Sequence, residues 1–163
     1  MKIYFILLIS LCSFSLFGQS EIRTGLELTP DHFPQPNVPK GELKGPFEFH
    51  SKIIDGTVRL YWLFIPAQYD ASKPASVLVF QDGNRATIPD GSLRVPQVLE
   101  NLIAKGDIPV TIGIFITPGN RSEHYPTDLG PKNPNNRANE YDALNDRYAR
   151  FLIDEMLPHV AKD

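Results

Sequence analysis

Cysteine is almost missing from this sequence. Cys12 is the single one, so the chain cannot close a disulfide within itself, and beyond its first twenty residues it has no thiol for nucleophilic attack or zinc ligation. An excess of either charge is missing too. Sixteen Lys and Arg against 19 Asp and Glu leave a net charge of −3 with the signs intermixed, which excludes a basic field for nucleic acid or an anionic membrane. His32, His50 and His159 stand apart, with no H-E-x-x-H or similar spacing, so no metal and no cofactor is expected. Long apolar runs are scarce, and no internal repeat is visible. What remains is a globular composition, 42% hydrophobic and 21% charged, with 15 prolines that favour turns over long helices.

The apolar run that does occur, Ile3–Phe17, follows Lys2 and precedes Gly18 and Ser20. At about 15 residues it falls short of the ~20 that a bilayer span needs. A positive start, an apolar centre and small residues behind it predict a cleaved signal peptide over residues 1–20, with an uncleaved anchor as the alternative. Leu11 stands where an acylated Cys12 would need a small neighbour, which opposes a lipoprotein. The protein is therefore expected to be exported, to the periplasm or the outside, without a stable membrane span.

Residues 21–45 contain Pro30, Pro34, Pro36 and Pro39 with no periodicity and read as an extended lead-in, the folded domain starting at Pro46 and running to residue 163. Phe47–Ile54 and Thr57–Ile65 read as strands of a hairpin joined through Asp55-Gly56. Val77–Phe80 and Pro109–Ile116 are apolar throughout, as strands buried on both faces are. Between them Val95, Val98, Leu99, Leu102 and Ile103 recur at helical spacing until Gly106. A polar loop, Asn120–Ala138, leads to a helix expected from Glu140 to Leu157, capped by Asn139, ended by Pro158, and burying Tyr141, Leu144, Tyr148, Phe151, Leu152 and Met156. Hairpin, buried strand, helix, buried strand, helix predicts an α/β fold with a mainly parallel sheet. A parallel sheet wants a further strand after that last helix, so a truncated domain is expected.

Several local features admit two readings. Asp82-Gly83-Asn84-Arg85 is either a plain tight turn or a turn whose backbone meets a ligand. Arg137 and Glu140 make either an ion pair at a helix entrance or a cleft lining. Ser122-Glu123-His124 brings triad residue types together, but three successive side chains cannot form the linked chain that such chemistry draws from separate loops. Asn120-Arg121-Ser122 fits a glycosylation acceptor, a pattern too common to decide anything. Tyr61, Trp62 and Phe64 are expected in the core rather than on a sugar-binding platform.

Three strings, VLVFQDG (Val77–Gly83), VLENLIAKGDIPVTIGIFITPG (Val98–Gly119) and NNRANEYDALNDRYARFLIDEMLPHV (Asn135–Val160), together resemble the Putative esterase family. This is the branch of the α/β-hydrolases that includes enterochelin esterase-like and feruloyl esterase-like enzymes. The most specific pieces are R-x-x-E-Y-D at Arg137–Asp142 and R-F-L-x-D-E-M-L-P at Arg150–Pro158. The resemblance implies a partial α/β-hydrolase: an antiparallel hairpin, then parallel strands with crossover helices, cut off before the nucleophile elbow. That elbow, G-x-S-x-G, occurs nowhere here, and the family order of Ser, acid and His would put all three beyond Asp163. What the resemblance implies for the residues present is an oxyanion-binding turn with the Gly83 and Asn84 amides as donors, and substrate binding by Arg137 and Glu140. The implied activity is hydrolysis of a small-molecule or polysaccharide-linked carboxylic ester, with these residues inactive alone. A non-catalytic carbohydrate-binding module is the competing expectation, and a decayed fragment without function a third.

Overall fold

The computed structural model describes residues 27–130 and 132–162. The signal peptide expected over residues 1–20, and Cys12 within it, lie outside them. Strand β1 (Glu42–Ser51) and strand β2 (Thr57–Ile65) pair antiparallel, Ser51 opposite Thr57. The expected hairpin is present with a longer connection than a two-residue turn. Glu155 takes the backbone N–H of Lys52 at 2.8 Å and of Ile53 at 3.0 Å, and the Ser51 hydroxyl at 2.6 Å. These donors are lost to a ladder, so β1 stops at Ser51 rather than Ile54. Gly56 supplies the positive φ, 70°, that closes the loop.

Order also begins earlier than the sequence suggests. β1 starts at Glu42 and bulges between Lys44 and Phe47, where Pro46 has no N–H to give the ladder. Ahead of it, the 3₁₀ turn Pro30–His32 is docked rather than extended. Asn101 donates to the carbonyls of Asp31 and Phe33 at 2.8 and 2.9 Å, and Lys105 pairs with Asp31. The prolines of this stretch thus shape a strap across a helix, correcting the reading of an extended lead-in.

Strand β3 (Ser76–Gln81), the one-turn helix α1 (Gly83–Ala86), helix α2 (Val95–Lys105) and strand β4 (Thr111–Ile116) complete the sheet in the order β1-β2-β4-β3. β4 runs antiparallel to β2 and parallel to β3. Gly106 ends α2 in the left-handed conformation, φ 78°, as a C-terminal glycine should. One face of the sheet buries Phe64 and Phe115 against Leu99 and Ile103 of α2. The other buries Tyr61, Leu63, Ile114 and Ile116 against Phe151 and Met156. Tyr61 and Phe64 are core residues, as expected. Burial on both faces holds for β4 but not for β3, where Val77 is 51% exposed. The difference is position: β4 lies between two strands, whereas β3 has a paired neighbour on one side among the described residues.

The single C-terminal helix of the sequence reading is two pieces. Helix α3 (Arg137–Tyr141) follows Asn136, not Asn139. After a non-helical stretch that leaves Leu144 fully exposed, helix α4 (Arg147–Arg150) runs through a π-helical turn, Phe151–Met156, into helix α5 (Leu157–Val160). Pro158 lies inside α5 instead of ending the helix. Proline has no N–H to offer the preceding turn, and the wider π turn just before it displaces the ordinary ladder. Phe151 and Met156 of this segment are completely buried. Phe151→Ala is expected to cost about 3–5 kcal/mol, the usual range for losing a fully buried aromatic ring, measured by denaturant unfolding. A loss near zero would mean that this helix does not close the sheet face.

Candidate active site

At the carboxyl end of β3 the chain reverses through Asp82, which has φ 54° and ψ 38°. The left-handed region costs an ordinary L-residue roughly 1–2 kcal/mol, least for Asp, Asn and Gly. Gly83 comes next and is buried. A Cβ on it would lie 2.4 Å from the Ile116 nitrogen and 2.5 Å from the Phe115 carbonyl carbon. The missing side chain therefore lets the turn rest on β4. The N–H groups of Gly83 and Asn84 are the first of α1, where no intrahelical acceptor exists. No acceptor is paired with either among the described residues. Two adjacent free donors thus stand at the carboxyl edge of a parallel strand pair, the end of an α/β sheet where ligands bind.

Arg137 reaches this turn. Its Nε donates to Asp82 Oδ1 at 3.0 Å and its Nη2 to Oδ2 at 2.7 Å, both side chains being partly exposed. The hydrogen bond to Asp82, and then its charge, hold the guanidinium above its ordinary pKa. The fork lies 5.0 Å from the centre of the Tyr141 ring. Arg137 stands beside the turn, its partner is Asp82 and not Glu140, and the edge of the guanidinium that carries Nε and Nη2 is occupied by that carboxylate.

Glu140 is elsewhere. It is 4% exposed, and its oxygens accept from Arg59 Nη1 at 3.0 Å, Arg59 Nη2 at 3.1 Å, Asn136 Nδ2 at 2.8 Å and the Gly119 N–H at 3.1 Å. No substrate contact is open to it, and its assignment to substrate binding is corrected to a buried structural role. Arg59 is completely enclosed, donates to Thr57 Oγ1 at 2.9 Å and lies 4.0 Å from the centre of the Phe151 ring. Arg59 was not singled out from the sequence, and neither was its pairing with Glu140. The available signal was a cation in mid-strand between Tyr61 and Thr57 on a face that must be covered. Such a charge requires an opposite one from another element.

Three tyrosines surround the same wall. Burial pushes the Tyr148 hydroxyl up to about 12. Burial, and then the adjacent Tyr148, raise Tyr141 further still, and burial raises Tyr125. All three are therefore neutral at ordinary pH. Ser122, Glu123 and His124 make no triad: the Ser122 hydroxyl donates to the His124 carbonyl at 2.6 Å, and His124 Nδ1 faces Glu48 at 3.2 Å. A wide groove, about 1360 Å³, crosses Phe47, Tyr61, Leu63, Ile114 and Leu157 on the sheet face and touches none of Asp82, Gly83, Asn84 or Arg137. Nearer the turn, a groove of about 600 Å³ includes Thr87, Ile88 and Phe33. Among the described residues no cluster of His, Cys, Asp or Glu is arranged to hold a metal, and no helix is long and apolar enough to cross a membrane.

A family model described as Putative esterase matches residues 51–163. Two solved structures of the CE1 ferulic acid esterase AmCE1/Fae1A from the anaerobic fungus Anaeromyces mucronatus share the fold. The substrate-free form is 18% identical with a TM-score of 0.50, over 81% of this chain and 47% of that one. The form in complex with ferulic acid is 18% identical with a TM-score of 0.51, over 85% and 50%. The chain thus spans about half the length of these structures, and the likeness identifies its fold as part of an α/β-hydrolase. No curated protein matches the sequence.

Two outcomes are expected. Glu140→Ala leaves Arg59 buried without its counter-charge and should cost about 3–5 kcal/mol, read from the urea midpoint; a change below about 1 kcal/mol would show that the pair does not hold α3. The second concerns the Tyr125 loop. The Tyr125 N–H bond, and then His124, hold Glu48 below its ordinary 4.5, while Glu48 raises His124 above 6.5. The Glu48 contribution is present above 4.5 and lost as pH falls through the lowered value, and the His124 contribution is full below 6.5 and lost as pH rises through the raised one. Hydrogen-exchange protection of the Tyr125 amide should therefore peak between those limits and decline on both sides. Protection independent of pH would contradict this.

Proposed function

This chain belongs to the Putative esterase family, and from that membership we propose that its residues build the oxyanion-binding side of a secreted carboxylic-ester hydrolase. The observation that carries the reading is the pair of unpaired N–H groups, Gly83 and Asn84, at the carboxyl end of β3. In the proposed reaction a serine Oγ adds to the ester carbonyl carbon while a histidine takes its proton. The carbonyl π electrons move onto oxygen, and the two N–H groups donate to the oxyanion that results. Collapse of the tetrahedral intermediate expels the alcohol, which takes the proton from histidine. Water then releases the acid by the same steps. One such donor is typically worth about 2.7–4 kcal/mol of transition-state stabilisation.

The serine, acid and histidine are proposed to be supplied outside these residues, since G-x-S-x-G does not occur in them. The side of β3 that has no paired strand among the described residues is a suitable place for the strand that would bring the serine beside Gly83. The neighbouring fungal enzyme is described in complex with ferulic acid. This supports an aromatic acyl ester, on a small alcohol or a polysaccharide, as the substrate class. Export rests on the character of Met1–Ser20.

Purified residues 21–163 are expected to give no turnover of a p-nitrophenyl ester above background, and serine-dependent turnover would overturn that part of the reading. The coding sequence after Asp163 is expected to run into a strand and G-x-S-x-G. In the polypeptide extended through them, Asn84→Pro removes one N–H and should lower kcat on methyl ferulate by about 10²–10³. Unchanged kcat would remove the oxyanion role from this turn.

A further inference from the structure

We propose that Asp82 and Arg137 are a positioning pair that holds the Gly83 and Asn84 amides in one direction. The benefit to chemistry rests on the ester-hydrolase reading, but the geometry does not. Asp82 occupies a left-handed conformation, φ 54° and ψ 38°, where the backbone alone would prefer glycine. The strand that delivers it, β3, is at the edge of the sheet among the described residues, with half-exposed side chains, so β3 and the close contact of Gly83 with β4 fix the turn on one side. Arg137 supplies the other. Its two bonds to the carboxylate, 3.0 and 2.7 Å, define the plane of the Asp82 side chain, which a point charge such as lysine cannot do.

Arg137 is itself held. Its guanidinium packs over the Tyr141 ring at 5.0 Å, and three residues along α3 Glu140 is locked to Arg59 of β2. A rigid chain of contacts thus runs from an inner strand of the sheet, through α3, to the turn at its edge. The pair is half exposed, 50% for Arg137 and 35% for Asp82, so it adds little to folding stability. Its effect falls on the order of the turn rather than on the survival of the fold. That separates it from a merely structural ion pair.

The test is ¹⁵N relaxation on the purified chain, with the wild type, Arg137→Gln, Arg137→Lys, Asp82→Asn and the Arg137→Gln/Asp82→Asn double variant compared. Asparagine tolerates the left-handed region, so Asp82→Asn removes the charge without forbidding the turn. In Arg137→Gln and Asp82→Asn the Gly83 and Asn84 order parameters should fall from about 0.85 toward 0.6 or below, with β4 amides and the melting temperature nearly unchanged. Arg137→Lys should lie between. The double variant should be no looser than either single, because both remove one interaction. Unaltered order parameters in Arg137→Gln, or loosening that sums in the double variant, would overturn the pair. A turn that loosens as expected while Asn84→Pro leaves ester turnover intact would sustain the clamp and remove only the oxyanion role of the turn, whereas a loosened turn in an extended polypeptide that hydrolyses no ester would sustain the clamp and dispose of the hydrolase reading.

Discussion

The ion pair between Arg59 and Glu140 sets the conditions for everything around it. Both side chains are essentially sealed from water, and each would carry a penalty of several kcal/mol if left alone there. The structure meets most of that cost by hydrogen bonds to the carboxylate and to both terminal nitrogens of the guanidinium, the Arg59 Nε alone having no partner among the described residues. Glu140 takes four hydrogen bonds, from both terminal nitrogens of Arg59, from Asn136 and from the Gly119 backbone. Thr57 and the Phe151 ring occupy other sides of the guanidinium. Four separate segments are joined at one point: β2, the loop after β4, α3 and the C-terminal helix. Even Gly119 follows from it, since a Cβ there would fall 2.3 Å from the Glu140 carboxylate.

From that joint the candidate site follows by short steps. α3 is five residues long and could not persist as an isolated helix. It exists because Glu140 anchors one face of it and the Tyr141 and Tyr148 rings pack beside it. Once α3 is placed, Arg137 is delivered to Asp82, and the turn after β3 acquires a second support. Gly83 then lets that turn settle onto β4, leaving two N–H groups without an acceptor among the described residues.

Much of this was legible in the sequence, and the misses share a cause. The hairpin, α2 with its terminal glycine, and the apolar strands were readable because local periodicity and turn chemistry agree with the tertiary outcome. Asp82-Gly83-Asn84 was locatable for the same reason. The C-terminal helix failed because Glu140 and Arg137 serve distant partners, Arg59 and Asp82, that no spacing along the chain reveals. Leu144 matched a helical stripe yet lies in the break between the two helical pieces. Likewise β3 reads as fully buried from Val77 to Phe80, because hydrophobicity records that an edge is to be covered but not by which segment. The Pro-rich strap over α2 was invisible for a related reason: its docking depends on Asn101 and Lys105, some seventy positions downstream.

The closure of Asp82 on Arg137 also shapes how the molecule meets what it binds. Opposite charges held side by side cancel within a few ångströms, so the rim beside the free amides projects a short-range dipole rather than a net field. A charged visitor would be neither drawn in nor repelled from afar, and encounter there is governed by shape and by dehydration of the rings that line the wall.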